Sequence, residues 1–147
     1  MKQLLFVLIA SLAMQTANAQ FRKVPAAVTN AFAVKYPDAK NVEWKDNMTN
    51  FSARFISKNS TKCKATYYSK GEWQSTEEEL DAAALPAPVK DGLAKSKYAD
   101  REIAEVLKIE KKEGGTQYRL LAKKSGVEKK YLYFNEEGKL MKEAMTI

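Results

Sequence analysis

One helix opening, written twice, constrains this chain more than any other feature. "KVPAAVTNAFAVKYP" begins at Lys23 and "ALPAPVKDGLAKSKY" begins at Ala84, an offset of 61. Each opens on an apolar residue and a proline, Val24-Pro25 and Leu85-Pro86. Proline suits the first helical position, where its missing N–H would have no partner. Val24, Val28, Ala31 and Phe32 then follow the three-and-four spacing of one helix face, as do Leu85, Val89 and Leu93 in the second copy. Gly92 replaces Ala31, which lowers helix propensity there. Pro37 disfavours helical geometry at Tyr36, so the first helix is expected to stop near it. The second is expected to end around Lys97-Tyr98.

After each helix the apolar period changes to two, the spacing of a half-buried strand. Val42 and Trp44 share one side, then Phe51, Ala53 and Phe55, then Cys63, Ala65 and Tyr67. At an offset of 67 come Tyr118, Leu120 and Ala122, then Leu132 and Phe134, and Gly71 and Gly138 keep the same offset. Turn residues fall between the runs, in "DNMTN", "KNST", "SKG", "KKEGG", "KSG" and "NEEG". The step from 61 to 67 places the extra residues within "ADREIAEVLKIEKKEGG". The expected fold class is α+β: two tandem repeats, each a short helix followed by a four-strand antiparallel meander. The helices are expected on one sheet face, with the other open to water. Residues 20–80 form the first repeat and 81–147 the second. Units this short are marginal alone, so the two are expected to make one compact unit. "STEEELDAAALPAP" reads as the connection, with Glu77-Glu78-Glu79 a strand end and solvated linker rather than a metal site. Trp73 fits either face, because the tight turn before it obscures the parity.

The first nineteen residues carry one early charge in "MKQ", the apolar run "LLFVLIASLAM" and small residues in "ANA" before Gln20. That is the order of a secretory signal peptide, 1–19, and the run is short for a membrane span. The single cysteine, Cys63, does not follow the cleavage site, so no lipid anchor is expected. The mature chain is expected to be periplasmic or secreted, with no transmembrane segment after cleavage.

Chemistry is constrained by what is missing. The chain has no histidine, which removes Ser-His-Asp and Cys-His arrangements and the commonest zinc ligand. One cysteine forms neither an internal disulfide nor a metal cluster, and its strand parity points to burial. No G-x-S-x-G, P-loop or G-x-G-x-x-G occurs. Catalytic residues, cofactor and metal are all expected to be absent, and the chain is read as a non-enzyme. Its formal net charge is +7, but acidic and basic residues interleave, without a concentrated phosphate-binding tract. Nucleic acid is therefore not an expected partner. N-x-S/T triplets at Asn47, Asn50 and Asn59 read as turn chemistry in a bacterial chain.

Val24, Pro25, Val28, Phe32, Tyr36, Pro37 and Trp44, with Gly71 and Gly138, resemble the pattern of PepSY-like exported proteins of Bacteroidetes. The second copy keeps Leu85, Pro86, Val89 and Tyr98 but has no tyrosine-proline or matching tryptophan. The resemblance implies a fold similar to the beta-lactamase inhibitory protein, with two helix-plus-sheet units forming a curved surface. It also implies a non-catalytic periplasmic or secreted role, inhibitory or protein-binding.

Strand parity turns a second set of side chains away from the core. Arg54, Ile56, Lys62, Lys64 and Tyr68 come from the first copy, and Arg119, Leu121, Lys129, Tyr131 and Tyr133 from the second. Tyrosine and arginine with a few aliphatics is the composition of interface anchors. The candidate partner-binding set is Arg54, Lys64, Tyr68, Arg119, Leu121, Tyr131 and Tyr133, with Tyr68, Arg119, Tyr131 and Tyr133 nearest the centre. An ordinary solvated face also carries tyrosine and lysine, so both readings stay open. The expected partner is a protein, with an acidic surface or a protease or hydrolase in view. The alternative is an envelope-associated structural protein binding anionic glycan or lipid.

Overall fold

The computed structural model describes residues 22–124 and 126–146. The expected signal peptide, 1–19, and Ser125 of the "KSG" turn lie outside the described residues. Helix α1, Ala26–Lys35, precedes strands β1 Lys40–Asp46, β2 Phe51–Ile56, β3 Lys62–Tyr67 and β4 Trp73–Leu80. A 3-10 turn at Ala82–Ala84 leads into α2, Ala87–Ala94. Strands β5 Glu102–Lys111, β6 Thr116–Lys123, β7 Lys129–Asn135 and β8 Leu140–Met145 follow. All pair antiparallel in chain order as one eight-stranded sheet. This is a mixed α/β fold in which each helix covers part of one sheet face.

Both prolines sit one position earlier than expected, at the helix N-caps in extended geometry. Pro25 O accepts from the Val28 and Thr29 N–H groups at 3.0 and 3.2 Å, and Pro86 O from Lys90 N–H at 3.0 Å. Helix α1 ends at Lys35 with Tyr36 as its cap, as Pro37 requires. Helix α2 stops at Ala94, short of the expected Lys97, and its last turn gives way to turns running to Tyr98.

Under α1, Val28 and Phe32 pack on Phe51, Ala53, Phe55, Ala65 and Tyr67. The Phe32 ring meets Phe55 at 5.1 Å and Trp44 at 5.2 Å, both edge-on, the geometry that aromatic quadrupoles favour. Trp73 joins this helix side, against the Lys35 ammonium at 4.3 Å, which settles its parity. Val42 does not: it lies on the outermost strand beside a bulge and is 38% exposed. Cys63 is only half-buried, at the edge of the cluster under α1. Burial first, and then the Glu78 charge, push its thiol up to about 11. Under α2, Leu85, Val89 and Tyr98 pack on Val106, Tyr118, Leu120, Ala122, Leu132 and Phe134.

Three glycines set how closely the helices lie. A Cβ on Gly71 would sit 2.5 Å from Ala27 O of α1, and one on Gly138 would sit 1.9 Å from Pro88 O of α2. A Cβ on Gly92 would reach Gly138 O at 1.9 Å. Gly92 is thus a point of close approach between helix and strand turn, rather than only a weak helix former.

The connection between the halves is shorter than expected. Glu77, Glu78 and Glu79 belong to β4, which continues to Leu80 and pairs with β5 from Ser75↔Lys111 to Leu80↔Val106. Six residues read as linker are therefore ladder residues. They read as linker because a run of three glutamates has low strand propensity; here cross-strand lysines compensate.

Candidate binding face

Cross-strand partners share a sheet side, so the register assigns every side chain to a face. Away from the helices, one row runs Glu43, Arg54, Lys64, Glu77, Ile109, Gln117, Asn135 across β1 to β7. The next such row runs Ile56, Lys62 on β2 and β3, and Glu79, Leu107, Arg119, Tyr133, Lys142 from β4 to β8. A third places Glu105, Leu121, Tyr131 and Ala144 side by side.

The sheet's sidedness inverts at its middle. On β4 and β5 the helix side carries polar residues, Thr76, Glu78, Lys108 and Glu110, between the two helix-covered clusters. Lys108 Nζ pairs with Glu110 there at 2.7 Å. The opposite side of the same strands carries Leu107 and Ile109, each only 8% exposed though no helix covers them. A recess of about 590 Å³ opens beside Leu107, lined from Asn41 and Glu43 on β1 to Arg119 on β6. In a flat sheet those strands would span about 24 Å at ~4.8 Å each. One recess reaching across all of them means that the sheet curves toward this face.

The recess is charged, and its charges are largely matched. Lys64 meets Glu77 at 2.7 Å, Lys62 meets Glu79 at 3.5 Å and Arg119 meets Glu105 at 2.9 Å. Burial works against the Arg119 charge, but the hydrogen bond and charge of Glu105, reinforced by Glu77, hold its pKa above the ordinary value. Its guanidinium lies 4.7 Å from the centre of the Tyr131 ring, and its buried Nε has no hydrogen-bond partner among the described residues. Lys142 lies 5.5 Å from the Tyr133 ring.

The structure brings together six of the seven residues expected on this face. Arg54, Lys64 and Arg119 line the recess. Leu121, Tyr131 and Tyr133 adjoin it through the pairs Leu121↔Tyr131 and Arg119↔Tyr133. Tyr68 is apart from them. It stands 48% exposed just past β3, at the end of the sheet opposite Tyr131, so it is not near the centre. The sequence reading missed Leu107, Ile109, Glu77 and Glu105. The signal for the first two was present in "VLKI", which is apolar on both strand parities. Among the described residues no group of three or more acidic, cysteine or histidine side chains converges as a metal site. Among them, too, no helix is long and apolar enough to cross a membrane.

No curated protein matches the chain. Solved structures do. A BLIP-like protein from Bacteroides fragilis superposes with a TM-score of 0.79 at 23% identity, covering 86% of this chain and 89% of its own. A DUF2874 family protein from Bacteroides ovatus gives 0.79 at 21% identity, covering 84% and 89%. A protein from Bacteroides eggerthii, described as a candidate periplasmic protein, gives 0.79 at 19% identity, covering 84% and 90%. At these identities the matches establish a shared fold. The model of one family also matches residues 49–142, more than half of the sequence. The chain belongs to the PepSY-like, beta-lactamase-inhibitor-like family.

Proposed function

We propose that this chain is an exported, non-catalytic binding module that holds a protein partner on its open sheet face. The observation that carries the reading is the inversion at β4 and β5. Leu107 and Ile109 turn away from the helices, beside Leu121, Tyr131, Tyr133 and Arg119. Aromatic rings and a planar cation around a small apolar centre are what anchor protein interfaces. Of the carboxylates that line the recess, Glu77, Glu79 and Glu105 each sit against a cation and Glu43 stands opposite Arg54 in the ladder, so we read them as charge partners rather than acid–base groups. Inhibition of a hydrolase or protease is one form this binding takes in our reading, prompted by the family's name.

Export rests on residues 1–19 and on the periplasmic description of one fold relative. We also read the chain as two tandem repeats, 20–80 and 81–147. Each has a helix before four strands, and each has a last-hairpin glycine seated under its own helix.

The test is affinity capture from envelope extract, beside a variant carrying Tyr131→Ala and Tyr133→Ala. A single protein retained by the wild type and lost by the variant is the expected result. Retention by both removes the site. If neither retains a protein, and binding to anionic glycan or lipid falls steadily with salt, the envelope-structural alternative replaces it.

A further inference from the structure

A second, smaller recess of about 290 Å³ lies on the open face over β1, β2 and β3. Its charged lining is entirely basic: Lys45, Arg54 and Lys64. Lys64 is neutralised by Glu77 at 2.7 Å, whereas Lys45 and Arg54 make no ion pair among the described residues. In the ladder Arg54 stands between Lys64 on β3 and Glu43 on β1. Glu43 lines the larger recess but not this one, so on this side the Arg54 guanidinium faces no carboxylate.

The polar groups below complete the recess. Ser52 is 5% exposed and faces Thr66 across the ladder. Asn47 Nδ2 donates to Ser52 Oγ at 3.1 Å and to Asn50 Oδ1 at 2.9 Å, while Asn50 Nδ2 donates to Gln74 Oε1 at 3.1 Å. This amide chain uses Ser52 as an acceptor, so the hydroxyl proton is free to point at a ligand. The recess thus offers two unpaired cations and a hydroxyl donor, and no carboxylate lines it.

We propose that this recess binds a carboxylate of an acidic segment on the protein partner, with Arg54 as the principal contact. The planar guanidinium matches a carboxylate in two-point geometry, and Lys45 adds charge at the rim. The inference rests on the reading of this face as a protein-binding surface.

The experiment is fluorescence anisotropy of a labelled octaglutamate peptide titrated with purified protein at about 0.1 M salt, where the screening length is ~10 Å. Binding is expected, and Arg54→Gln should weaken it about ten-fold, the effect of losing one charge-assisted hydrogen bond. Lys139→Gln removes one exposed charge from the β7–β8 turn and should change the affinity less than about two-fold, as a distant screened charge does. The Tyr131→Ala, Tyr133→Ala variant should still bind the peptide, so loss of the tyrosine surface and loss of this recess are separable. Arg54→Gln should keep the wild-type circular dichroism spectrum and a midpoint close to wild type, because Arg54 loses one favourable and one unfavourable cross-strand neighbour; a lower midpoint with unchanged peptide affinity would make the arginine purely structural. Equal weakening by Arg54→Gln and Lys139→Gln overturns the proposal in favour of diffuse charge. Absence of peptide binding also overturns it, and Arg54-dependent sedimentation with phosphatidylglycerol vesicles would then assign the recess to a membrane surface.

Discussion

Gly92 shows how a residue's tertiary neighbours can reverse its local preference. In a helix interior alanine is better than glycine by about 1 kcal/mol. Here an added Cβ would meet backbone, Gly138 O at 1.9 Å, with no flexible side chain to give way. Gly92→Ala is therefore expected to destabilise the protein by about 1–3 kcal/mol, the usual cost of overpacking. Gly126→Ala, with open space around it, should be near neutral; urea denaturation of both separates the two effects. Asp46 makes a second residue-scale case. Arg22 Nε donates to Asp46 Oδ2 at 2.8 Å and Nη2 donates to Oδ1 at 2.6 Å, and Asp46 also accepts from Met48 N–H. The Arg22 hydrogen bond is the main cause holding its pKa at about 2. A depressed carboxylate stabilises the fold above its unfolded value, near 3.8. That contribution is lost as pH falls through about 2. The stability difference between wild type and Asp46→Asn should thus be full above pH 4 and gone at the acid limit, checked by thermal melts across that range.

At the scale of elements, β5 marks where sequence pattern stops being sufficient. Strands β2, β3, β6 and β7 each alternate apolar core residues with polar or partly exposed ones, so Phe51, Ala53 and Phe55, or Leu120 and Ala122, are read directly from alternation. Strand β5 sits where the sheet curves, with Val106 in the α2 core and Leu107 and Ile109 buried on the other side. The buried side switches between Val106 and Leu107, which breaks the alternation, so the pattern of Glu102–Lys111 does not assign its faces. The same switch hid Leu107 and Ile109 on the candidate face, while Arg54, Lys64, Arg119, Leu121, Tyr131 and Tyr133 are legible from parity. Tyr68 followed the parity rule as well. Its distance from the others depends on strand order and register, which parity does not contain. A mutation tests whether Leu107 is part of the core despite having no helix over it. Leu107→Ala should cost at least about 2 kcal/mol, as buried leucines do. A solvated strand position would give within about 0.5 kcal/mol. Urea denaturation decides between them.

At the scale of the whole molecule, the question is whether two hydrophobic clusters make one folding unit. They are separated on the helix side by the polar pairs Thr76↔Glu110 and Glu78↔Lys108, so side-chain packing alone does not fuse them. The coupling runs instead through the β4–β5 ladder, through Leu80 of β4 packing on the second cluster, and through Leu107 and Ile109 at the turn of the sheet. A half of some sixty residues buries too small a share of its surface to be robust by itself. If the ladder joins them, unfolding either half exposes an edge and an apolar strip on the other, and the transition is shared. Both tryptophans, Trp44 and Trp73, pack on the first cluster, so their fluorescence reports on that half alone. Leu132 lies fully buried in the second. Leu132→Ala should cost about 2–5 kcal/mol. That loss should appear undiminished in the tryptophan melting curve, as a midpoint lowered by roughly 3–5 °C for each kcal/mol, the scale of a unit of this size. An unmoved tryptophan midpoint, with an early second transition in circular dichroism, would mean that the halves fold separately and that the recess they share is assembled only after both are formed.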